Sequence, residues 1–251
     1  ALWDMSPYGI GPFGATTREL WFLDGKPPIY VNKFWQVRQM IKAWNRNMAA
    51  IFFAAWVICL DESMFIWSSQ WTCPGWVFCP CKPHPFGNEY HSACCGKSGV
   101  MFAIKMVEGK DRPRQIPCHE FEAKHGKTSS LLLHLLKAYF TTGWYVVLDS
   151  GFCVLKAILS LHAMGLFVGA IIKKHGFWPT SIPGDEMEAH FQGMNIGDVN
   201  AIQGTKDGFS YTIWGMKEPN YVMRMMATGG ALIADNTCKM ATRGMGKDKV
   251  R

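Results

Sequence analysis

With 251 residues, 49% of them hydrophobic, the chain has enough apolar material to bury the core of one large domain or two small ones, which excludes a disordered polypeptide. Its 26 basic residues exceed its 19 acidic ones for a net charge of +7, which favours an anionic partner, nucleic acid or an anionic membrane surface, over a basic one. The longest apolar run, "MAAIFFAAWVICL" (48–60), falls short of the roughly 20 residues that span a bilayer and ends on Asp61, so no transmembrane helix is expected.

The first residues, "ALWDMSPYGI", carry neither an initiator Met nor the basic, apolar and small-residue order of a signal peptide, so the chain reads as a segment of something longer with no mark for secretion. Nine cysteines are an odd number in a large chain without such a signal, and reduced thiols are expected. Cys73, Cys79, Cys81, Cys94 and Cys95, with His84 and His91 near them, lack the paired spacing of common structural zinc sites, so structural zinc is not expected.

Residues 34–48 place Phe34, Val37, Ile41, Trp44 and Met48 three and four apart, which predicts an amphipathic helix with Gln36, Arg38, Lys42 and Arg46 on its wet side. "IFFAAWVICL" predicts a buried strand, or a turn of helix and then a strand, ending on Asp61. Between Thr72 and Asn88 the prolines 74, 80, 83 and 85 predict an irregular excursion. "YHSACCG" and "VMFAIKMVEG", joined by "KSG", predict a hairpin.

After a polar loop at 109–127, Thr128, Ser129 or Ser130 can cap a helix carrying Leu131, Leu132, Leu135 and Leu136. "GWYVVLDS" is the next strand, "FCVLKAILSLHAMG" a helix closed by Gly165, and "LFVGAII" another strand followed by Lys173 and Lys174. Residues 176–210 read as loop, "FSYTIWGMK" and "YVMRMMATGG" as two further strands, and Met223, Met225 and Met226 as core filler. The hairpin implies an antiparallel edge and the strand–helix–strand alternation a parallel portion, so the fold class is α/β, a mixed sheet with helices on both faces after an N-terminal helical segment. The boundaries are a partial helical segment at 1–50, a core at 51–235 and a polar basic tail at 236–251.

Two strands run from apolar residues into a carboxylate: "WVICLDESM" into Asp61 and "WYVVLDSGF" into Asp149. In open α/β sheets functional groups gather at the carboxyl ends of strands. Two carboxylates meeting there repel, and a divalent cation between them relieves the repulsion; oxygen-only ligands suit Mg²⁺ or Mn²⁺ in phosphoryl transfer. The competing reading makes both ordinary strand-end residues, Asp149 capping the helix that follows it.

The ordered runs "LDESM", "KPHPFGNEYH", "VEGKDRP", "VVLDSGFCVLKAI" and "GLFVGAIIKK" resemble the transposase domain of piggyBac transposable element-derived proteins over roughly residues 30–230. That resemblance implies an RNase H-like fold, a DDE/D cluster binding Mg²⁺ or Mn²⁺ that cuts and joins DNA, and a nuclear location, although no compact basic import signal stands out. Asp61 matches the family's first catalytic Asp and Asp149 its second; DNA, namely transposon ends, is the implied partner, and a homodimer a further one. The third acid has no match: Ala227, Thr228, Gly229 and Gly230 occupy its place, which leaves Asp235 or Glu218 as candidate third ligand. A degenerate enzyme, or a domesticated and catalytically inactive DNA-binding protein of the same fold, is the alternative this gap raises.

Lys82 and His84, beside Phe86 and Tyr90, suit phosphate contact and base stacking, as Lys173 and Lys174 suit phosphate contact at a strand end. A rigid Pro-rich loop with solvated charges is the competing reading of the first pair. "HGKTSS" and "CGKSG" fail as phosphate loops, because Phe121 and His91 stand where such a loop needs Gly.

Overall fold

The structure is a computed structural model that describes residues 34–68, 73, 75–80, 82–107, 120–172, 184–229, 243–245 and 248–250. The apolar spacing of the first segment forms helix α1 (Trp35–Ile51). It buries Met48 in the core and lies along the outer strand of the hairpin, where the Asn45 amide donates to the carbonyl of Ile104 (2.8 Å) and accepts from its N–H (2.9 Å). One side chain thus pairs with an edge strand as a neighbouring peptide group would.

Strand β1 (Val57–Ile66) is followed by β2 (Trp76–Phe78), β3 (Phe86–Cys95) and β4 (Met101–Met106). β1 and β3 are antiparallel from Ile58↔Cys95 to Ile66↔Gly87, and β2 and β4 share the far edge of β3. The β3–β4 hairpin turns through Gly99, whose φ of +71° is a left-handed conformation costly for other residues.

Two corrections concern this region. β1 does not end at Asp61 but runs five residues further, because its antiparallel partner β3 continues to pair with it after its parallel neighbour has stopped. The stretch 72–88 is likewise not wholly irregular, since it holds β2 and the first residues of β3. Its described prolines, Pro80, Pro83 and Pro85, fall outside both strands, where no ladder hydrogen bond is lost.

A short helix α2 (Glu122–His125) leads into α3 (Lys127–Leu136), a 3-10 turn (Lys137–Tyr139), β5 (Tyr145–Leu148), a second 3-10 turn (Ser150–Phe152), α4 (Leu155–Ala163) and β6 (Phe167–Ile171). No Ser or Thr caps α3: the N-cap is Gly126, and Ser129 and Ser130 are buried inside the helix, with the Ser130 hydroxyl donating to the Lys127 carbonyl. A hydroxyl one turn inside a helix can bond back to the preceding turn and so is not free to cap. Gly165 closes α4 as expected, at φ +77° and with no room for a Cβ against Thr141.

The segment 176–210 also departs from the loop expectation, holding helix α5 (Gly184–His190) and strand β7 (Val199–Lys206) before β8 (Phe209–Lys217) and β9 (Val222–Thr228). β10 (Arg243–Met245) and β11 (Asp248–Val250) pair separately as an antiparallel ribbon.

The main sheet runs β2-β3-β1-β5-β6-β9-β8-β7, with β4 beside β2 on the edge of β3. β1, β5 and β6 are parallel and their outer neighbours antiparallel, the mixed sheet expected from the order of elements. Ile58 and Leu60 stand beside Val146 and Leu148, those beside Val168 and Ala170, and Ala170 beside Met226. All seven are buried on one face under the leucines of α3 and α4, with Met187 and Phe191 of the α5 region extending the same layer over β8. Each fully buried leucine there stabilises the fold by about 1.5–3 kcal/mol relative to exposure. The opposite face is more open among the described residues: Phe167 is 39% exposed and Ile171 41%. No described helix is long and apolar enough to cross a membrane.

Candidate active site

The parallel ladder between β1 and β5 ends on the pair Leu60↔Leu148, and the next residue on each strand is an aspartate. Both leucines point into the core. Side chains alternate along a strand, so Asp61 and Asp149 emerge together on the open face. Asp149 keeps an extended backbone (φ −70°, ψ 165°), so the alternation carries through to it although the strand has formally ended. Neighbouring strands lie about 4.8 Å apart, which makes the two aspartates immediate neighbours across the sheet. Both are exposed, and the Asp61 carboxylate accepts a hydrogen bond from the N–H of Glu62 (2.7 Å).

Asp61 faces Ser92 across the β1–β3 ladder, two pairs beyond Cys59 and Cys94 and therefore on their face. Burial pushes the Cys94 thiol up, a hydrogen bond with Ser92 pulls it down, and the neighbouring Cys59 and the Asp61 carboxylate push it up again. Burial and then Cys95 raise Cys59, so both residues beside Asp61 are neutral thiols at pH 7. Cys94 and Cys95 follow each other on β3 and point to opposite faces, Cys95 into the core. Cys59, Cys94, Cys95 and Cys153 are free thiols, while Cys81 lies outside the described residues.

One alternation step separates Asp61 from a different group. Glu62 turns to the helix-covered face, where its carboxylate lies 3.8 Å from Nε2 of His91, which is 3.6 Å from Glu89. The ring of His91 packs edge-on against Phe152 in the turn after Asp149, and a Cβ on Gly151 would come within 3.1 Å of Glu62. Glu62, Glu89 and His91 are close enough to share an ion. Sequence spacing hid this group, because its members come from two strands and only the register unites them; the period-2 alternation of "NEYHSA" was the one available signal.

The remaining candidates are distributed as follows. The Lys82 ammonium donates to the Glu62 carbonyl (2.7 Å), which holds it one residue from Asp61, and His84 is exposed in the same loop. Glu218 lies in the β8–β9 turn, at the sheet end that carries the aspartates but two to three strand spacings aside from Asp149 and more than three residues farther out along the strands. Lys173, Lys174 and Asp235 lie outside the described residues. At the place where a third acid was sought, Thr228 is buried and its hydroxyl accepts the Val168 N–H (3.0 Å).

Asp61 and Asp149 offer oxygen donors only, exposed and side by side, which is the donor set a hard cation such as Mg²⁺ or Mn²⁺ takes.

A family model described as "Transposase IS4" matches residues 13–249 of the chain. No curated protein matches it. Among solved structures, the piggyBac transposase in its synaptic complex with hairpin DNA superposes with a TM-score of 0.65 at 14% identity, over 83% of this chain and 40% of that one. The chain therefore spans well under half the length of that transposase. An endonuclease V from Ciona intestinalis, bound to a 23mer DNA containing an inosine, covers 76% of this chain and 83% of that one at 13% identity, but its TM-score of 0.34 is too low to carry an argument.

Proposed function

From the premise that the chain belongs to the Transposase IS4 family, with a fold similar to that of piggyBac transposase, we propose that it is a DDE-type transposase catalytic domain that cleaves and transfers DNA strands with divalent metal. The observation that carries this reading is the placement of Asp61 and Asp149 as adjacent residues on parallel strands, both turned to the open face. Bound between them, Mg²⁺ or Mn²⁺ would activate a water and stabilise a leaving oxygen. The chain's own part is to hold two carboxylates at one sheet spacing on a rigid core, and to place the Lys82 ammonium beside them as a phosphate contact. A third ligand belongs to this proposal, with Asp235 and Glu218 as its candidates. A nuclear location and a homodimeric assembly are further parts of it, supported by the sequence resemblance.

The test is Mn²⁺-dependent nicking of a labelled DNA duplex by the purified chain, beside Asp61→Asn and Asp149→Asn. Cleavage lost in both variants supports the proposal. A second reading, a catalytically inactive DNA-binding protein of the same fold, is favoured by Ala227, Thr228 and Gly229 standing where a third carboxylate was sought. Retained DNA binding without cleavage by the folded wild-type chain is the outcome that would establish it.

A further inference from the structure

β1 carries on past Asp61, and its register with β3 and β2 sorts the aromatic residues beyond it. Ser63 pairs with Tyr90, Phe65 with Asn88, Asn88 in turn with Trp76, and Phe86 with Phe78. Counting in steps of two from Asp61 and Ser92, all of Phe65, Tyr90, Trp76, Phe86 and Phe78 stand on the face that carries Asp61. Their rings stack in two groups along one strip of that face, Phe65 on Tyr90 at 4.6 Å, and Phe86 on both Trp76 at 5.7 Å and Phe78 at 5.0 Å. Phe65 is 54% exposed and Phe78 53%. Large rings in this number rarely stay on a surface without a partner.

Charge decides which partner fits. Among the described residues of β1, β2 and β3, Asp61 is the one acid on this face, because Glu62 and Glu89 are turned to the other side against His91. The loop joining β2 to β3 brings Lys82 and His84 to the rim of the strip. An apolar stacking surface, free of carboxylates beyond the metal-binding end and rimmed by basic groups, matches flat bases on an anionic backbone. We infer that this strip is a stacking platform for unpaired bases of the nucleic-acid strand whose phosphate lies at Asp61 and Asp149. The inference rests on the proposed function for the direction of the strand. It adds that the substrate is engaged with a short unpaired stretch, read by stacking and therefore tolerant of sequence.

The experiment is fluorescence anisotropy with two labelled DNAs, a blunt duplex and the same duplex with a four-nucleotide single-stranded overhang, measured in EDTA so that cleavage plays no part. The wild-type chain binds the overhang DNA more tightly. Phe65→Ala and Phe86→Ala each weaken overhang binding about tenfold, in the range for loss of one base–aromatic stack, and leave blunt-duplex binding unchanged. Phe86→Trp, which keeps a ring, retains overhang binding and guards against an effect of misfolding, as does the unchanged blunt-duplex affinity. Equal binding of the two DNAs by wild type, or an equal loss on both DNAs in the alanine variants, overturns the platform. So does a wild-type dimer that Phe65→Ala converts to monomer without altering overhang binding, since the strip would then be an interface between copies. Asp61→Asn is run alongside, in EDTA for binding and separately with Mn²⁺ for nicking: it removes cleavage but not stacking, so failure of the catalytic reading is told apart from failure of this one.

Discussion

Leu60 and Leu148 stand opposite each other as the last pair of a parallel ladder, and each hands the chain to an aspartate that points the other way. The leucines anchor both strand ends in the core, so the two carboxylates are held by packing that does not depend on their own contacts. Glu62, the next residue, falls on the far face with His91. The alternation therefore makes a sharp distinction between adjacent acids. Asp61→Asn removes at least the roughly 10–100-fold lost when even an outer-shell partner of a metal is mutated, whereas Glu62→Gln leaves nicking within a few-fold of wild type. Initial rates of Mn²⁺-dependent cleavage check both; equal losses at the two positions would place the metal across the sheet edge, shared by both faces.

Asn45 predicts a stability effect of a different kind. Its amide satisfies both backbone groups of Ile104 on the outer edge of β4. Asn45→Ala leaves a partly buried N–H and C=O without that partner, and the chain is expected to lose about 1–3 kcal/mol in denaturant unfolding. Asn45→Asp keeps the acceptor for the Ile104 N–H but loses the donor, so it should fall between wild type and Ala. An Ala variant as stable as wild type would mean that water replaces the clamp at no cost.

Much of this architecture was legible because apolar residues recur at the period of the element they form. The Phe34 to Met48 spacing marked α1, and the runs before Asp61 and Asp149 marked the two central strands. What stayed hidden depends on partners far away in sequence. β7, whose "VNAIQGTK" is largely exposed at the sheet edge, has no buried face to imprint an alternation. α5 contributes one buried residue, Met187, too few to show a helical period. In sequence the polar residues from Asp61 onward read as a strand end, whereas antiparallel pairing with β3 carries β1 through them. The aspartates themselves were legible; their shared face, and the separation of Glu62 from them, required the register.

Gly215 sets the packing between β8 and the layer above it. A Cβ there would lie 2.4 Å from a ring carbon of Phe191, 2.7 Å from a second and 2.9 Å from the terminal methyl of Met187. Phe191 is fully buried, so its ring has no open side into which to retreat. Gly215→Ala is therefore expected to destabilise by about 1–3 kcal/mol as an overpacked core position, although alanine suits a strand better than glycine. Phe191→Leu in the same chain should recover part of the loss by making room. Thermal unfolding of the single and double variants checks the coupling, and strictly additive losses would show that the two side chains do not compete for the same space.

His125 supplies a pH dependence whose sign follows from its surroundings. It ends α2, with Nδ1 3.1 Å from the Ser160 hydroxyl of α4. Burial, and then the charges of Lys124 and Lys156, hold its pKa below the ordinary value of 6.5. A base whose pKa is depressed by folding binds its proton more readily when unfolded, so the unfolded state takes up more protons as pH falls. The contribution of this histidine is therefore fully present above pH 6.5 and lost as pH is lowered from there through the depressed value. His125→Gln, which can keep a hydrogen bond to Ser160 and does not titrate, should flatten that part of the stability curve between pH 7.5 and 5. Denaturant midpoints at half-unit pH steps for the two proteins provide the comparison. A variant that loses stability as steeply as wild type over this range would assign the acid sensitivity to other groups, of which His134, with its pKa also lowered by burial and by Lys105, is the first to substitute.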